Sequence, residues 1–281
     1  MRVPRLFSIV AAIMLPVVFT QGQGDPASTL QRGWEELGLL NAGTAQQAFA
    51  TAMAANPASR EARLGNALAF LQLRSRTAGN SAAAVERLED LRRENPDDDT
   101  GIAATYYLAR IEQVHRITPN RPAAVAGYGA LLAAHPSLPC AQLAAPNLAL
   151  LLLYDDVPAP EWERRVTEIE TLIPRLSTPE AVRDTRLILA DAFIRLRHDH
   201  TRAYPLFAAC LADATITRKP RLNGVLLQAA ESAHQLGRSA DEVRWYEQFL
   251  SEFPRDAKAD EIHRRLASLP APTAGSTEAA P

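Results

Sequence analysis

Residues 229–254, AAESAHQLGRSADEVRWYEQFLSEFP, contain the clearest secondary-structure pattern in the sequence. In the second half of this stretch, apolar side chains recur at the spacing of one helix face, which predicts an amphipathic helix. That face consists of Val243, Tyr246, Leu250 and Phe253, with Trp245 and Phe249 beside it. We expect the three aromatic residues Trp245, Tyr246 and Phe249 to lie in the core. Pro254 cannot continue a helix, so the helix should end before it.

Boundary signals lie at the start of this helix and at the end of the segment before it. Ser239 followed by Glu242 has the pattern of a capping box, in which the serine oxygen accepts from one free amide and the glutamate from another. Upstream, small and apolar residues predict a preceding helix, and Gly237 can adopt the left-handed conformation that closes it. The stretch therefore predicts a helical hairpin, with bulky apolar side chains on one arm and small residues on the other.

Weaker copies of this hairpin recur along the chain. Each copy ends at a proline that follows a segment with one apolar face. These prolines are Pro57, Pro96, Pro136, Pro174 and Pro254, and they are evenly spaced except for a double interval before the last one. A single hairpin cannot bury its apolar face alone, so repetition at a period of about 40 residues predicts a stack of hairpins that share a continuous core.

The hairpin resembles the tetratricopeptide repeat (TPR), a helix pair with a glycine near its turn, an aromatic residue in its second helix and a closing proline. Gly237, Tyr246 and Pro254 fall on those three positions. Glu242 and Phe249 stand where the family prefers alanine, and the period is longer than the family's, which is about 34 residues. The resemblance implies an all-α, right-handed α-solenoid of TPR-like pairs, about six of them plus a capping helix. Other helical repeat classes with a similarly long period stay open at this point.

The beginning of the chain differs from the repeats. Residues 1–24 place Arg2 and Arg5 before an uncharged, mostly apolar run, Leu6–Phe19, which small residues follow. This order is typical of a secretory signal peptide. The run is shorter than the roughly 20 residues of a membrane span. We therefore expect a cleaved signal, a mature protein in the periplasm or outside the cell, and no permanent membrane span. An uncleaved anchor is the alternative.

The remaining chain divides into a repeat domain, residues 27–268, and a tail, residues 269–281. The helix near the end of the repeats has charges on one side, as the outer face of a terminal cap requires. The tail is rich in proline, alanine and small residues and should be disordered.

The charge balance argues against two classes of partner. The chain has 30 basic and 32 acidic residues; without residues 1–24, which hold Arg2 and Arg5 and no acid, 28 and 32 remain, a formal charge of −4. Such a balance does not favour nonspecific binding to nucleic acid or to an anionic membrane.

Candidates for chemistry are few. Cys140 and Cys210 lie about two repeats apart, farther than a disulfide allows between neighbouring helices, so we expect two buried, inert thiols. His198, Asp199 and His200 could begin a metal or acid/base cluster, but a useful metal site needs further ligands. We find no motif of a known enzyme class. The sequence thus predicts no catalytic residue, no cofactor and no metal site.

The TPR resemblance implies that the first helices of the pairs line a concave groove that binds a protein or peptide. Asn66 follows Leu64-Gly65, where the family often places an asparagine that contacts a bound peptide backbone. Arg110 is at the equivalent place in the next repeat, and Tyr106 supplies a further contact. The lysine of the family's carboxylate-binding members is absent, since Ala62 and Tyr106 stand at that position. We therefore expect Asn66, Tyr106 and Arg110 as groove contacts without a carboxylate clamp.

The sequence favours an exported TPR-like scaffold that binds a protein or peptide partner in the periplasm or cell envelope, without catalysis. Two alternatives stay open. One is a structural component of an envelope complex that packs through its convex face. The other is a metal-dependent enzyme on a helical scaffold, with its site near residues 198–200.

Overall fold

The computed structural model describes residues 26–73 and 78–269, and all regular structure in these residues is helical. The predicted signal peptide, residues 1–24, and the tail beyond residue 269 lie outside the described residues. The helices are α1 (Pro26–Gly38), α2 (Ala42–Ala55), α3 (Arg60–Gln72), α4 (Ala78–Glu94), α5 (Asp99–Arg110), α6 (Arg121–Ala134), α7 (Pro139–Gln142), α8 (Ala144–Leu153), α9 (Ala159–Leu172), α10 (Pro179–Ala192), α11 (His200–Ala212), α12 (Lys219–Gln235), α13 (Ser239–Glu252) and α14 (Ala259–Ser268).

These helices form six pairs followed by α14, which confirms the predicted all-α repeat architecture. We call the first helix of each pair the A helix and the second the B helix. The A helices are α1, α3, α5, α8, α10 and α12, with the short α7 preceding α8. The B helices are α2, α4, α6, α9, α11 and α13. Two A helices continue into a π-helical turn, α5 through Ile111–His115 and α10 through Phe193–Arg197. The right-handedness of the stack stays a prediction.

The closing prolines set the ends of the B helices. The five helices that precede these prolines each end two residues before the proline, at Ala55, Glu94, Ala134, Leu172 and Glu252. The helix α11 ends at Ala212, so residue 214 occupies the position of the closing proline in this pair. Here the chain has Ala214 with a φ of 51°, a left-handed conformation that proline cannot adopt. The fifth pair thus closes with a left-handed residue in place of a proline.

The chain divides into two compact units, residues 1–127 and 128–281, with the boundary inside α6. We call them unit 1 and unit 2. In unit 1, α1 to α5 pack in sequence, and α3 also contacts α1 and α5. In unit 2, α8 packs on α9 and α10, and each helix from α10 to α14 packs on the next.

The core of unit 1 is organised by one aromatic ring and two glycines. Phe49 of α2 is fully buried and lies against Gly33 of α1 and Gly65 of α3. A Cβ atom at Gly33 would fall 2.6 Å from the ring, and one at Gly65 would fall 2.3 Å from it. The ring of Trp34 meets Phe49 edge-on at 5.1 Å. The small residues of the A helices therefore leave the space that the B-helix aromatic fills.

The core of unit 2 contains the apolar run of α8, whose side chains from Leu148 to Leu153 are all buried except that of Leu150. This agrees with the even distribution of apolar residues around that helix, which leaves no polar face for solvent. Further along the unit, Trp162 and Trp245 are almost fully buried, and each indole nitrogen donates a hydrogen bond, to Leu153 O at 3.0 Å and to Tyr204 Oη at 3.3 Å.

Polar side chains near the start of the A helices hold the turn that follows the same pair. In unit 1, Arg60 of α3 donates to the carbonyl oxygens of Leu91 and Asn95 at 2.9 and 3.0 Å. In unit 2, the fully buried Gln142 accepts hydrogen bonds from the amides of Ser177 and Thr178 at 2.9 and 2.8 Å. These bonds satisfy backbone groups that a longer inter-pair turn would otherwise leave without partners.

The last pair corrects two details of the sequence interpretation. The buried face of α13 consists of Glu242, Trp245 and Phe249, one residue away from the predicted face through Val243, Tyr246 and Leu250. Trp245 and Phe249 are core residues as predicted, whereas Tyr246 is only half-buried. The left-handed Gly237 is confirmed, with a φ of 68°.

The capping box predicted at Ser239 and Glu242 is wrong. No side chain caps the start of α13. The carboxylate of Glu242 is 2% exposed and accepts a hydrogen bond from Arg265 of α14 at 2.7 Å. His234 Nδ1 lies 3.3 Å from the same carboxylate. A buried carboxylate gains more from a charged donor than from a backbone amide, so Glu242 turns toward the capping helix.

Candidate binding surfaces

The three predicted groove contacts lie on two A helices of unit 1 that pack against each other, α3 and α5. Asn66 of α3 is 6% exposed. Its side-chain amide bonds to no described residue, but the amide atoms are not fully buried and can still bond to water. The position therefore carries a hydrogen-bonding capacity that the described part of unit 1 leaves unused.

Tyr106 and Arg110 are held by their surroundings on α5. Tyr106 is 9% exposed and meets the ring of Tyr107 edge-on at 5.2 Å. Burial raises the pKa of Tyr107 to about 12, with a smaller contribution from Tyr106. Arg110 Nη1 donates to Gln113 Oε1 at 2.8 Å, and Gln113 lies in the π-helical turn that extends α5. Tyr106 thus offers mainly a ring edge, and Arg110 presents its guanidinium from a fixed position.

In unit 2, a hydrogen-bond network joins three successive A helices, and we call it the Asp191 network. Asp191 of α10 accepts from Arg195 Nε at 2.7 Å and from Gln228 Nε2 of α12 at 3.3 Å. Its other carboxylate oxygen accepts from the hydroxyl of Tyr154, the residue that ends α8. Burial raises the pKa of Tyr154, and the bond to Asp191 raises it further. The bond to Asp191 likewise raises the pKa of Arg195.

A cavity of about 150 Å³ lies beside the Asp191 network. It is lined by residues of the π-helical turn after α10, of α11 and of α12, namely Ile194, His200, Leu227, Gln228, Glu231 and Ser232. His200 Nδ1 and the buried Ser232 Oγ are 3.2 Å apart and satisfy each other. Gln228 donates to Asp191. His200 Nδ1, Ser232 Oγ and Gln228 Nε2 are therefore engaged with neighbours, and Ile194 and Leu227 supply an apolar surface.

Sequence reasoning did not identify this second surface, although a signal was available. Asp191 follows Ala190 on α10 as Arg110 follows Ala109 on α5. The same rule that selected Asn66 and Arg110 would therefore have selected Asp191. The other members of the network could not be found in this way, because Tyr154 and Gln228 reach Asp191 only through the packing of their helices.

The residues from His198 to His200 serve local structure. His198 adopts a left-handed conformation, with a φ of 54°, where the extended α10 ends. Asp199 caps α11 by accepting from the amide of Arg202 at 3.1 Å. His200 pairs with Ser232, as described above. Within the described ranges, no group of three or more histidine, cysteine or carboxylate residues is arranged to hold a metal ion.

The two cysteines differ in their surroundings. Cys210 is a buried free thiol, so no disulfide joins it to Cys140. Burial raises the pKa of Cys210 to about 11, which keeps it protonated and poorly nucleophilic. Cys140 is half-buried, contrary to the expectation of two buried thiols. Among the described residues, no helix combines the length and the apolar character needed to cross a membrane.

No family model and no curated protein matches the sequence. Solved structures match the fold. PilW, titled a widely conserved type IV pilus biogenesis factor, aligns with 86% of this chain and 100% of its own at a TM-score of 0.55 and 14% identity. PilF of Pseudomonas aeruginosa aligns with 85% of this chain and 97% of its own at a TM-score of 0.50 and 17% identity. A chain of the Cut9–Hcn1 hetero-tetramer of the APC/C aligns with 86% of this chain and 43% of its own, at a TM-score of 0.50 and 14% identity. At these identities the likeness establishes a TPR-like fold and nothing about function.

Proposed function

From a TPR-like fold with two distinct A-helix surfaces, we propose that the chain is an exported scaffold that binds an extended segment of a protein partner in the periplasm or cell envelope. Binding uses the A helices and involves no covalent chemistry. The basic-apolar order of residues 1–24 supports export. A fusion of this segment to alkaline phosphatase tests export, because that enzyme is active only outside the cytoplasm of a bacterial cell; an inactive fusion would contradict it.

The observation that carries the proposal is the side-chain amide of Asn66, which bonds to no described residue and keeps contact with solvent. A carboxamide has both donors and an acceptor, so it can bond to the amide and carbonyl groups of an extended peptide. Such a peptide would supply the partners that the described residues do not. Arg110 and the edge of Tyr106, on the neighbouring α5, would add charged and aromatic contacts to the same segment.

Peptide selection tests the proposal without knowledge of the natural partner. A library of random twelve-residue peptides displayed on phage is selected on the purified protein lacking residues 1–24. The recovered peptides are then synthesised with a fluorophore, and their binding is measured by fluorescence anisotropy. We expect Asn66→Ala and Arg110→Ala each to weaken binding by about tenfold, the effect of losing one or two hydrogen bonds to a buried or charged group.

Arg93→Ala is the matched control, because Arg93 lies on the B helix α4 with 72% of its side chain exposed. It should leave binding unchanged. If the peptides lose affinity only with Arg93→Ala, the result would favour the alternative that the protein is a structural component packing through its convex face. A stoichiometric metal in the purified protein would favour the alternative of a metal-dependent enzyme. Failure of the selection to recover any binding peptide would contradict the scaffold proposal.

A further inference from the structure

The cavity beside the Asp191 network has the size and chemistry of a pocket for one side chain. Its volume of about 150 Å³ is far below that of pockets for whole small molecules, which begin near 300 Å³. It equals that of an engineered protein cavity that holds one benzene molecule. A single branched aliphatic group is therefore the right size of occupant.

The lining explains why the occupant should be apolar. Ile194, in the π-helical turn after α10, and Leu227 of α12 both line the cavity, and both residues are only half-buried. His200 bonds to Ser232 and Gln228 bonds to Asp191, so the atoms in these bonds are not available to a bound group. A polar group entering this space would lose water without gaining a partner, whereas a hydrocarbon group would bury apolar surface.

Charged side chains near the pocket affect which residues can stand beside the bound apolar group. On the α10 side, Arg195 has 64% of its side chain exposed and bonds to Asp191 through Nε, so its two terminal nitrogens stay accessible. Glu231 of α12 also lines the cavity, is exposed and accepts a hydrogen bond from Gln235. The charge of Arg195 is paired with Asp191, but its terminal nitrogens can still donate hydrogen bonds to a carboxylate beside the apolar group, whereas the carboxylate of Glu231 can only repel one.

We infer that this pocket is a specificity subsite for a leucine, isoleucine or valine side chain of a bound protein segment, with an acidic residue of that segment next to it on the Arg195 side. The inference rests on the proposed function and deepens it, because it names what unit 2 selects in the partner. The π-helical turn of residues 193–197 builds the site, since it carries both Ile194 and Arg195.

The phage selection described above tests this inference through different variants. We expect recovered peptides to be enriched in an aliphatic residue with an aspartate or glutamate beside it. Replacing that aliphatic residue with alanine should weaken binding by about tenfold, the effect of removing a buried hydrocarbon side chain. Leu227→Arg in the protein should abolish the preference, because a charged side chain would occupy the pocket.

Leu222→Arg is the control for the charge and for folding, because Leu222 is half-buried on the same helix and does not line the cavity. A second variant, Leu227→Ala, enlarges the pocket without adding charge and should shift the selected residue toward phenylalanine. Arg195→Glu should exchange the acidic preference for a basic one. Circular dichroism and thermal unfolding establish that each variant is folded.

The outcomes separate this inference from the proposed function. Peptides that bind through Asn66 and ignore every change at Leu227 and Arg195 would overturn the pocket and leave the scaffold intact. Peptides that respond to Leu227→Arg and ignore Asn66→Ala would support the pocket and remove unit 1 as the binding surface. Recovery of no binding peptide would overturn both.

Discussion

Unit 1 and unit 2 are built from the same helix pairs, but they connect neighbouring A helices by different means. In unit 1, the glycines at positions 33 and 65 accept the ring of Phe49, which sets how closely α1 and α3 approach. Trp34 Nε1 adds one hydrogen bond between these helices, to Glu61 Oε1 at 2.9 Å. In unit 2, the Asp191 network ties α8, α10 and α12 together with hydrogen bonds. One repeat architecture can thus be closed mainly by steric fit or mainly by polar bonding, and each leaves a different surface.

The consequence for binding follows from this difference. In unit 1, Arg60 and Glu61 of α3 are engaged with neighbouring residues, but the amide of Asn66 bonds to no described residue. Polar closure uses hydrogen-bonding groups internally, and in unit 2 the A helices present mainly the apolar cavity lined by Ile194 and Leu227. Unit 1 is therefore suited to bind backbone groups of a partner, and unit 2 to select a side chain.

The largest expected effect comes from blocking the steric fit of unit 1. Gly65→Ala would place a Cβ atom 2.3 Å from the ring of Phe49, which is fully buried and cannot move freely. We expect a loss of about 3 kcal/mol in the free energy of unfolding, at the upper end for overpacking of a core. Urea denaturation measures the loss, and hydrogen exchange should show it in α1 to α3, because a repeat contacts only its neighbours.

Gly43→Ala makes the same chemical change where no atom lies within 4 Å of the new methyl group. It should raise stability by about 0.5–1 kcal/mol, the difference in helix propensity between alanine and glycine. Adding Phe49→Leu to Gly65→Ala should recover part of the loss by making room. If Gly65→Ala and Gly43→Ala had equal effects, steric closure of unit 1 would be the wrong description.

A smaller effect should follow from breaking the polar closure of unit 2. Asp191→Ala removes the acceptor shared by Tyr154, Arg195 and Gln228. We expect a loss of about 1–2 kcal/mol, because the groups left behind are partly exposed and can bond to water. The pKa of Tyr154 should fall, although burial will still hold it above the ordinary value. Tyrosinate absorbance, compared with the Tyr154→Phe variant, reports that change.

The control for this variant is Asp213→Ala, which removes an exposed carboxylate paired with Arg186. An exposed pair contributes little, so its stability should change by less than about 0.5 kcal/mol. An Asp191→Ala protein with wild-type stability and an unchanged Tyr154 titration would show that the network does not connect the A helices of unit 2.

The smallest effect concerns the ion pair between Asp98 and Arg60, at the turn between α4 and α5 in unit 1. Burial by itself would raise the pKa of Asp98, but the hydrogen bonds from the Gly101 amide and from Arg60 outweigh it and lower the pKa. Asp98→Asn keeps the helix cap and removes the charge, so it should cost about 0.5 kcal/mol at pH 7, since a third of the carboxylate is exposed and solvent screens the pair.

The sign of the pH dependence follows from the lowered pKa. The stabilisation by Asp98 is present above the ordinary aspartate pKa of about 3.9 and is lost as the pH falls through the lower value of the folded state. The stability difference between wild type and Asp98→Asn should therefore shrink between pH 5 and pH 2.5 in urea denaturation. A difference that stays constant over this range would assign the effect to the cap rather than to the charge.

Much of the fold was predictable because its signals are local. The register of the closing prolines located the ends of five B helices, since proline cannot continue a helix whatever surrounds it. The left-handed Gly237 followed from the same kind of argument. The face of α13 and the role of Glu242 were not predictable, because the partner of that carboxylate, Arg265, lies on another helix. Periodicity locates a stripe only to within one residue when neighbouring positions are both apolar.

The candidate surfaces divide in the same way. Asn66, Tyr106 and Arg110 could be named from their place after the small residues of the A helices, and their role in binding stays a prediction. Asp191 could have been named by the same rule, but its partners Tyr154 and Gln228 and the neighbouring cavity could not. They are brought together only by contacts between three helices.

The helical hairpin repeat and its period follow from local sequence, because proline, glycine and apolar spacing act within one or two turns of helix. Which polar groups are satisfied depends on how the helices pack. A hydrogen bond between helices forms only if donor and acceptor are placed to within a few tenths of an ångström, and the two residues lie far apart in the chain. No local sequence pattern encodes that placement.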